Sequence, residues 1–429
     1  LMSNKRGMLG FGGINPWILE FNLMVLGRIS SREVERVVRI VIRKHPALKL
    51  HFGEKIHLCD HIYFKTLVAP SDVPYETWKH DQAINLRKEM NVATLPWSVI
   101  LYEKGDYKEI GVFVNHLLVD DVSLLVITNT INQLLANPKK FDRAIDQQLF
   151  IWQQQLFEKT LNKEFEEDLS YWSRATSVKN KKLIEIEDNI GLNQVRYQKL
   201  LKFDFFNVEQ LRLVKETLSL HGLTIFDFSM TCVAKMVERW LGESEFCLSM
   251  DVNGRSPLKG CADVNSAVGW FSTSAPLYLQ VPDQVDFIEQ IATIKKQYSA
   301  MPKGGCSFGW LVNYAMHSFS GRPQRIRFAY ENHNIYNGNE VFHIRSNDLT
   351  IQEIKAECKF DFDPESLMYY LLDFQFVERS TSGLELRVNY PTKLVDVETI
   401  NSMITCFHAS RDQIMAICDV PAAELAMAD

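Results

Sequence analysis

The chain has 429 residues, 46% hydrophobic and 23% charged, which is ample for packed interiors and too long for one compact core, so two or three domains are expected. A formal net charge of −6 excludes nucleic acid as the main partner, because holding a phosphate backbone requires clustered Lys and Arg. No run approaches the roughly 20 apolar residues that cross a bilayer, the opening segment Leu1–Met8 does not lead into a secretion signal, and eight scattered cysteines without a Cys-x-x-Cys pair fit reduced thiols; the chain reads as a cytoplasmic monomer.

In chain order, Leu19–Ile29 alternates apolar and polar residues in strand fashion. Ser30 and Ser31 precede Glu33–Lys44, where Val34, Val37, Val38, Val41 and Ile42 share one helical stripe, and His45-Pro46 stops the helix because proline disfavours helical geometry in the residue before it. Ala47–Phe52 reads as a strand. His57 and His61 stand four residues apart, but in strand or loop, where that spacing does not bring two rings together, so no metal is expected. Trp97–Tyr102 and Ile110–Asn115 read as strands around the polar turn Glu103–Asp106.

After Asn115 comes His116-Leu-Leu-Val-Asp120-Asp121, then a helical pattern over Val122–Leu135. A histidine at a strand end, with a carboxylate four residues on and a helix behind it, is one way to present a general base on a rigid edge. The same pattern also suits a core histidine followed by Asp120 or Asp121 as a helix cap.

Phe141–Trp172 is helical in period but rich in Gln, Glu and Lys, and Ala175–Gln198 loses apolar periodicity, which marks a linker. The boundary is placed at 178, giving lobes 1–178 and 179–429. The second lobe reads as a strand at Lys199–Phe205, helices at Val208–Leu220 and Ile225–Trp240 with Thr224 as N-cap, and a strand at Glu245–Met250. A loop over Asp251–Trp270 follows, then strands at Phe271–Gln280, Arg325–Asn332, Tyr370–Glu378 and Leu384–Tyr390, and a terminal helix near Val397–Ile417. Both lobes are mixed α/β, and they could be weak structural duplicates.

Several segments, in order, resemble the condensation domains of nonribosomal peptide synthetases, of the chloramphenicol acetyltransferase-like superfamily. Asn115-His-Leu-Leu-Val-Asp-Asp121 matches the family's His-His-x-x-x-Asp-Gly motif at its second His and its Asp. Arg43-Lys-His-Pro-Ala-Leu-Lys49 resembles the Arg-His-x-x-Leu-Arg segment, Ser170-Tyr-Trp-Ser173 the Tyr-Trp segment, and Asn253-Gly-Arg-Ser-Pro257 the Gly-Arg segment. Val268-Gly-Trp-Phe271 with Pro276-Leu277 resembles the Val-Gly-x-Phe-x-Asn-x-x-Pro-Leu stretch. The resemblance implies an α/β (α+β) fold of two acetyltransferase-like lobes in a V-shaped pseudo-dimer with a central tunnel. It implies an acyltransferase in which an acceptor amine, or second a hydroxyl, attacks an acyl or peptidyl thioester in nonribosomal peptide or hybrid polyketide biosynthesis. Carrier proteins would be the partners, supplying phosphopantetheine-tethered substrates, with no bound cofactor. His116 takes the place of the catalytic base, Asp120 and Arg255 of a structural salt bridge, and Asn115 of a supporting residue. Asp121, Trp270, Ser272 and Ser274 become candidates for the substrate tunnel, with Trp270 and Phe271 alternatively packing as its floor.

The chain departs from the family pattern at three places. Asn115 replaces the first motif histidine, and an amide still donates and accepts hydrogen bonds. Asp121 replaces the motif glycine; it narrows the tunnel, holds a cationic amine, or simply starts the helix, where a carboxylate complements the dipole. Val268-Gly-Trp-Phe271 is closer to the epimerization branch, but Asp251-Val-Asn-Gly254 stands where that branch has Glu-Gly-His-Gly, so epimerization is not expected. Two other readings remain: a catalytically silent domain that recruits a tailoring enzyme or carrier protein, and a stand-alone acyltransferase using a coenzyme A thioester, which calls for a basic patch at a tunnel mouth.

Overall fold

Serine before an acidic third residue is what fixes the start of the first helix. In the computed structural model this helix spans Ser31–Lys44; Ser30 Oγ accepts the Glu33 N–H at 3.2 Å and Glu33 Oε2 accepts the Ser30 N–H at 2.8 Å, a reciprocal cap that satisfies two otherwise orphaned donors. Its valine stripe is buried as the spacing predicts. The residues described are 17–418 apart from 28, 137–138, 140–142, 284, 320–323, 333–348, 361–363 and 366. The readings on Leu1–Met8 and Phe141 lie outside them.

The strands are β1 (Trp17–Gly27), β2 (Leu50–Phe52), β3 (Ile56–Leu58), β4 (Phe64–Val68), β5 (Trp97–Lys104), β6 (Tyr107–Asn115), β7 (Gln198–Phe206), β8 (Glu245–Val252), β9 (Thr273–Gln280), β10 (Ile326–Asn332), β11 (Leu349–Phe360), β12 (Leu372–Arg379) and β13 (Gly383–Pro391). They build a five-stranded sheet in the order β11-β1-β6-β5-β4, a six-stranded sheet in the order β7-β13-β12-β10-β8-β9, and the small β2-β3 hairpin.

Packing divides the chain into two compact units, and the division is interleaved rather than sequential as the 1–178 and 179–429 reading has it. One unit runs through Glu158 and takes back Pro257–Ser272 and β11; the other holds Lys159–Ser256, Thr273–Ile335 and the residues after Asp363. The cause is strand pairing and loop anchoring. β11 lies antiparallel to β1, Trp17 opposite Phe360, and the 257–272 segment returns to hydrogen-bond the loop after β6.

In the first unit the five-stranded sheet is covered on both faces, which explains why Ile110–Val114 is apolar without alternation. On one face Ile18, Ile100, Tyr102 and Phe113 pack against Ala83 and Leu86 of the helix Tyr75–Glu89 and against Met90, which caps its C-terminus. On the other, Val99, Val112 and Val114 share an interior space with Val38, Val41 and Ile42 of the first helix and with Ile127 and Ile131 of the helix Asp121–Ala136. Each fully buried Val or Ile of this kind contributes roughly 1.5–3 kcal/mol. The second unit's sheet is backed by the helices Val208–Leu220, Ile225–Leu241 and Val397–Cys418.

Several elements differ from the sequence reading. Ala47–Phe52 is mostly a 3-10 turn, Pro46–Lys49, with proline at its first position, and only Leu50–Phe52 is strand. The helical stretch over Phe141–Trp172 resolves into Gln148–Leu161, a 3-10 turn at Glu166–Asp168 and a helix over Leu169–Ser177. The segment read as a linker carries a further helix, Lys181–Glu187, and is pinned by the buried Asn193, whose Nδ2 donates to the carbonyls of Met368 and Tyr370 at 2.8 and 3.0 Å. Among the described residues no helix is long and apolar enough to cross a membrane.

Candidate active site

The turn after β6 is built from its own polar side chains. The buried Asn115 accepts the Leu117 N–H on Oδ1 at 2.9 Å, its carbonyl accepts the Leu118 N–H at 2.9 Å, and its own N–H reaches the Pro96 carbonyl at 2.8 Å. An asparagine that bonds the backbone two residues on folds a tight turn by itself. The amide in the place of a histidine therefore shapes the loop that carries His116.

His116 ends the pairing of β6 with β1. Its N–H donates to the Trp17 carbonyl at 2.7 Å, and its half-buried ring packs beside two indoles, 4.6 Å from the Trp270 centroid and 5.9 Å from that of Trp17 in an edge-on arrangement, the two indoles themselves being 6.4 Å apart. Nδ1 is buried without a hydrogen-bond partner among the described residues. The imidazole is thus aimed by packing and by its backbone, and among the described residues no carboxylate bonds its Nδ1 in the manner of a Ser-His-Asp relay.

The carboxylate four residues on has another task. Asp120 is buried; Oδ1 accepts the Ser123 N–H at 2.9 Å, and Oδ2 accepts the Phe271 N–H at 3.0 Å and the Ser272 N–H at 3.3 Å. It therefore caps the helix Asp121–Ala136 and at the same time ties that helix start to the 269–272 segment. The Ser123 hydroxyl lies 2.7 Å from both Asp120 Oδ1 and the Gly269 carbonyl and accepts the Gly269 N–H at 3.0 Å, while the Asp120 N–H reaches the Gly269 carbonyl at 3.2 Å. Because Asp120 takes the N–H groups of Phe271 and Ser272, strand β9 starts at Thr273 instead of Phe271.

Trp270 is held over His116 by its indole N–H, which donates to Ser272 Oγ at 2.8 Å. Phe271 is buried edge-on to Trp152 at 5.4 Å and belongs to the core of this unit. Gly269 sits tightly: a Cβ there would lie 3.0 Å from both terminal carbons of Leu149 and 3.1 Å from the Phe271 ring. Gly269→Ala is expected to cost about 1–3 kcal/mol through this overpacking, read as a lower midpoint in chemical denaturation; an unchanged midpoint would refute the tight fit.

His116, Asn115, Asp120, Trp270 and Ser272 are thus brought together in the first unit. Asp121 is the first residue of its helix and is exposed. Gly269, part of the Val268–Phe271 segment of the resemblance, belongs to the site; Trp17 and Ser123 join it without having been singled out in the sequence, and of these only Ser123 had a legible signal, as the third residue after an aspartate cap.

Arg255 and Ser274 belong to the second unit. Arg255 is buried at 4% exposure, and its N–H donates to Asn253 Oδ1 at 3.0 Å in a turn where Gly254 has φ +71°. Ser274 Oγ donates to Asp251 Oδ1 at 2.9 Å and accepts from the Tyr370 hydroxyl at 3.2 Å. Asp251 and Asp373 flank Arg327, whose Nε is 3.0 Å from Asp251 Oδ2 and whose Nη1 is 3.0 Å from Asp373 Oδ2. Burial works against the Arg327 charge, but the two carboxylates outweigh it and hold the guanidinium well above its ordinary pKa. Burial, first of all, pushes the Tyr370 phenol up to about 12. Asp251 is therefore an ion-pair partner of Arg327 that also accepts a hydrogen bond from the Ser274 hydroxyl.

The profile of the condensation domain matches residues 12–429. The chain is 22% identical over 438 residues to a component of the linear gramicidin synthase of Brevibacillus parabrevis, a match that covers 94% of the chain and 5% of that protein. The chain thus spans a small fraction of such curated relatives. Among solved structures it is similar to the epimerization domain from the third module of tyrocidine synthetase B, with TM-score 0.71 and 17% identity over 94% of this chain and 92% of that one. It is likewise similar to the condensation domain of the Monacolin K polyketide synthase MokA, with TM-score 0.72 and 13% identity over 98% and 96%.

Proposed function

This chain belongs to the condensation-domain family, and on that premise we propose that it is an acyltransferase joining an acceptor amine, or second a hydroxyl, to an acyl or peptidyl thioester borne on the phosphopantetheine arm of a carrier protein. The observation that carries this reading is His116, half-buried beside two indoles on a turn fixed by the buried Asp120 and Asn115.

In this reading His116 takes up the proton of the acceptor nucleophile as it attacks the thioester carbonyl and hydrogen-bonds the tetrahedral intermediate; collapse of that intermediate breaks the C–S bond, and the departing phosphopantetheine sulfur takes the proton back as the free thiol. The demand on it is modest. A thioester is already activated, so holding two tethered reactants together supplies much of the rate, and base assistance adds roughly a hundredfold or more. Asp120 and Asn115 act through the loop, as positioning residues. The pairing of Asp120 with Arg255 rests on the resemblance alone. An epimerase role is disfavoured because Asp251-Val-Asn-Gly254 stands where the epimerization branch has Glu-Gly-His-Gly.

The test is incubation of the full chain with an acyl pantetheine thioester and a panel of amines and alcohols, with products followed by mass. An amide, or an ester, supports the reading; an intact thioester with every acceptor and with a cognate carrier protein favours the recruitment role. Asp121→Gly separates two roles of the unusual aspartate. If Asp121 only begins the helix, the variant loses about 0.5–1 kcal/mol of stability and keeps its turnover. Turnover raised tenfold or more would mean that the carboxylate obstructs the substrate path.

A further inference from the structure

The β2-β3 hairpin carries a pair of imidazoles that the linear spacing conceals. His51 and His57 are directly opposite each other in the antiparallel register, and their ring centroids lie 5.4 Å apart. Directly opposed residues have Cβ atoms about 4.5–5.5 Å apart, a span that two imidazoles can bridge through one ion.

The tautomer of His51 is set by its surroundings. Nδ1 lies 3.0 Å from the Ala93 carbonyl, an acceptor only, so Nδ1 carries the proton and the neutral ring has its lone pair on Nε2. That Nε2 is buried and without a hydrogen-bond partner among the described residues, on a residue only 3% exposed. A ring whose Nδ1–H is anchored on a backbone carbonyl while Nε2 is left uncommitted is the usual state of a metal-binding histidine before it meets its ion. His57 shows the same polarity at the surface. Its Nδ1 faces the Lys55 carbonyl at 3.4 Å, and the residue is exposed.

We propose that His51 Nε2 and His57 Nε2 together bind one late first-row divalent cation, of the zinc, nickel or copper class that imidazole prefers, and that the ion clips the β2-β3 hairpin. Among the described residues no set of three His, Cys, Asp or Glu side chains is placed to hold an ion, so water fills the remaining positions. Such a site is closed on the His51 side and reached from solvent on the His57 side. Its ligands are not the pair suggested by His57 and His61 in sequence; His61 packs on Tyr63, with ring centroids 4.4 Å apart.

Titration calorimetry of the full chain with zinc chloride, in parallel with His57→Ala, His61→Ala and Cys59→Ser, tests the assignment. The expected result is one equivalent of zinc bound by the wild type, weakened at least about tenfold in His57→Ala and unchanged in the other two, with a zinc-dependent rise in unfolding temperature that His57→Ala also loses. His57 is exposed, so its removal does not threaten the fold. His51→Gln should match His57→Ala in the calorimetry. Equal affinity in wild type and His57→Ala, or an equal loss in His61→Ala or Cys59→Ser, would overturn the proposal.

Discussion

Asp120→Ala is expected to lower stability by about 3–5 kcal/mol and to abolish turnover together with it. The size follows from what the side chain is bonded to. A helix cap alone is worth about 1 kcal/mol, and each buried N–H left without an acceptor costs about 1–3 kcal/mol. Alanine would strand the N–H groups of Ser123, Phe271 and Ser272 at once, in a residue that is 2% exposed. Against a typical total of about 5–15 kcal/mol this is a large share. Asp120→Asn keeps one acceptor oxygen but sets an NH2 against a neighbouring donor, so it should recover about half of the loss. Urea denaturation of the three proteins checks the order wild type, Asn, Ala. Equal midpoints for Ala and wild type would show that the carboxylate does not hold the 269–272 segment to the helix start.

His116→Ala should behave in the opposite way, with a small effect on folding and a large one on chemistry. Its side chain makes no hydrogen bond through Nδ1 and is only half-buried, so truncation removes ring packing on Trp17 and Trp270 worth about 0.5–1.5 kcal/mol, which shifts the melting temperature by about 2–4 °C. In the proposed reaction the imidazole accepts the nucleophile's proton as the new bond forms. Its loss should lower kcat about a hundredfold or more with little change in KM, because the contribution is made in the transition state. A KM effect with unchanged kcat would recast His116 as a binding residue. The contrast between the two variants separates a positioning carboxylate from a reacting imidazole.

How much was legible in the sequence follows from the range of the forces involved. Helices with a strong stripe and a cap, such as Val208–Leu220 with its Asn207–Gln210 capping box and Ile225–Leu241 behind Thr224, are readable within a residue, because the information is local. The helix Tyr75–Glu89 carries no such stripe: Trp78, Lys79 and Arg87 all turn toward the protein, and the buried pairs Lys79–Glu109 and Arg87–Glu20 put charges on the face that is normally apolar. β3 and β4 escape notice because they are short and largely exposed or half-buried, and β11 because its place is decided by pairing with β1, more than 300 residues away in the chain.

The site divides along the same line. His116 and Asp120 are visible as a strand-end motif, and the order of companion segments identifies the family. What spacing could not give was the direction of each bond. Asp120 turns from the imidazole toward the backbone of residues 271–272, Trp17 arrives from a neighbouring strand, and Asn115 folds the loop instead of supporting the ring. Asp121, which stands out as the departure from the family glycine, is exposed at a helix start, a position where an aspartate is ordinary. His51 and His57 show the converse case, a pairing set wholly by strand register.

The most direct test of the central claim is single-turnover acyl transfer from a loaded carrier protein to an amine, followed by intact mass on wild type and His116→Ala side by side at equal folded concentration. The account predicts that the wild type moves the acyl group onto the amine and that the variant does so about a hundredfold or more slowly. Transfer at the same rate in both proteins, above the rate without protein, would contradict it.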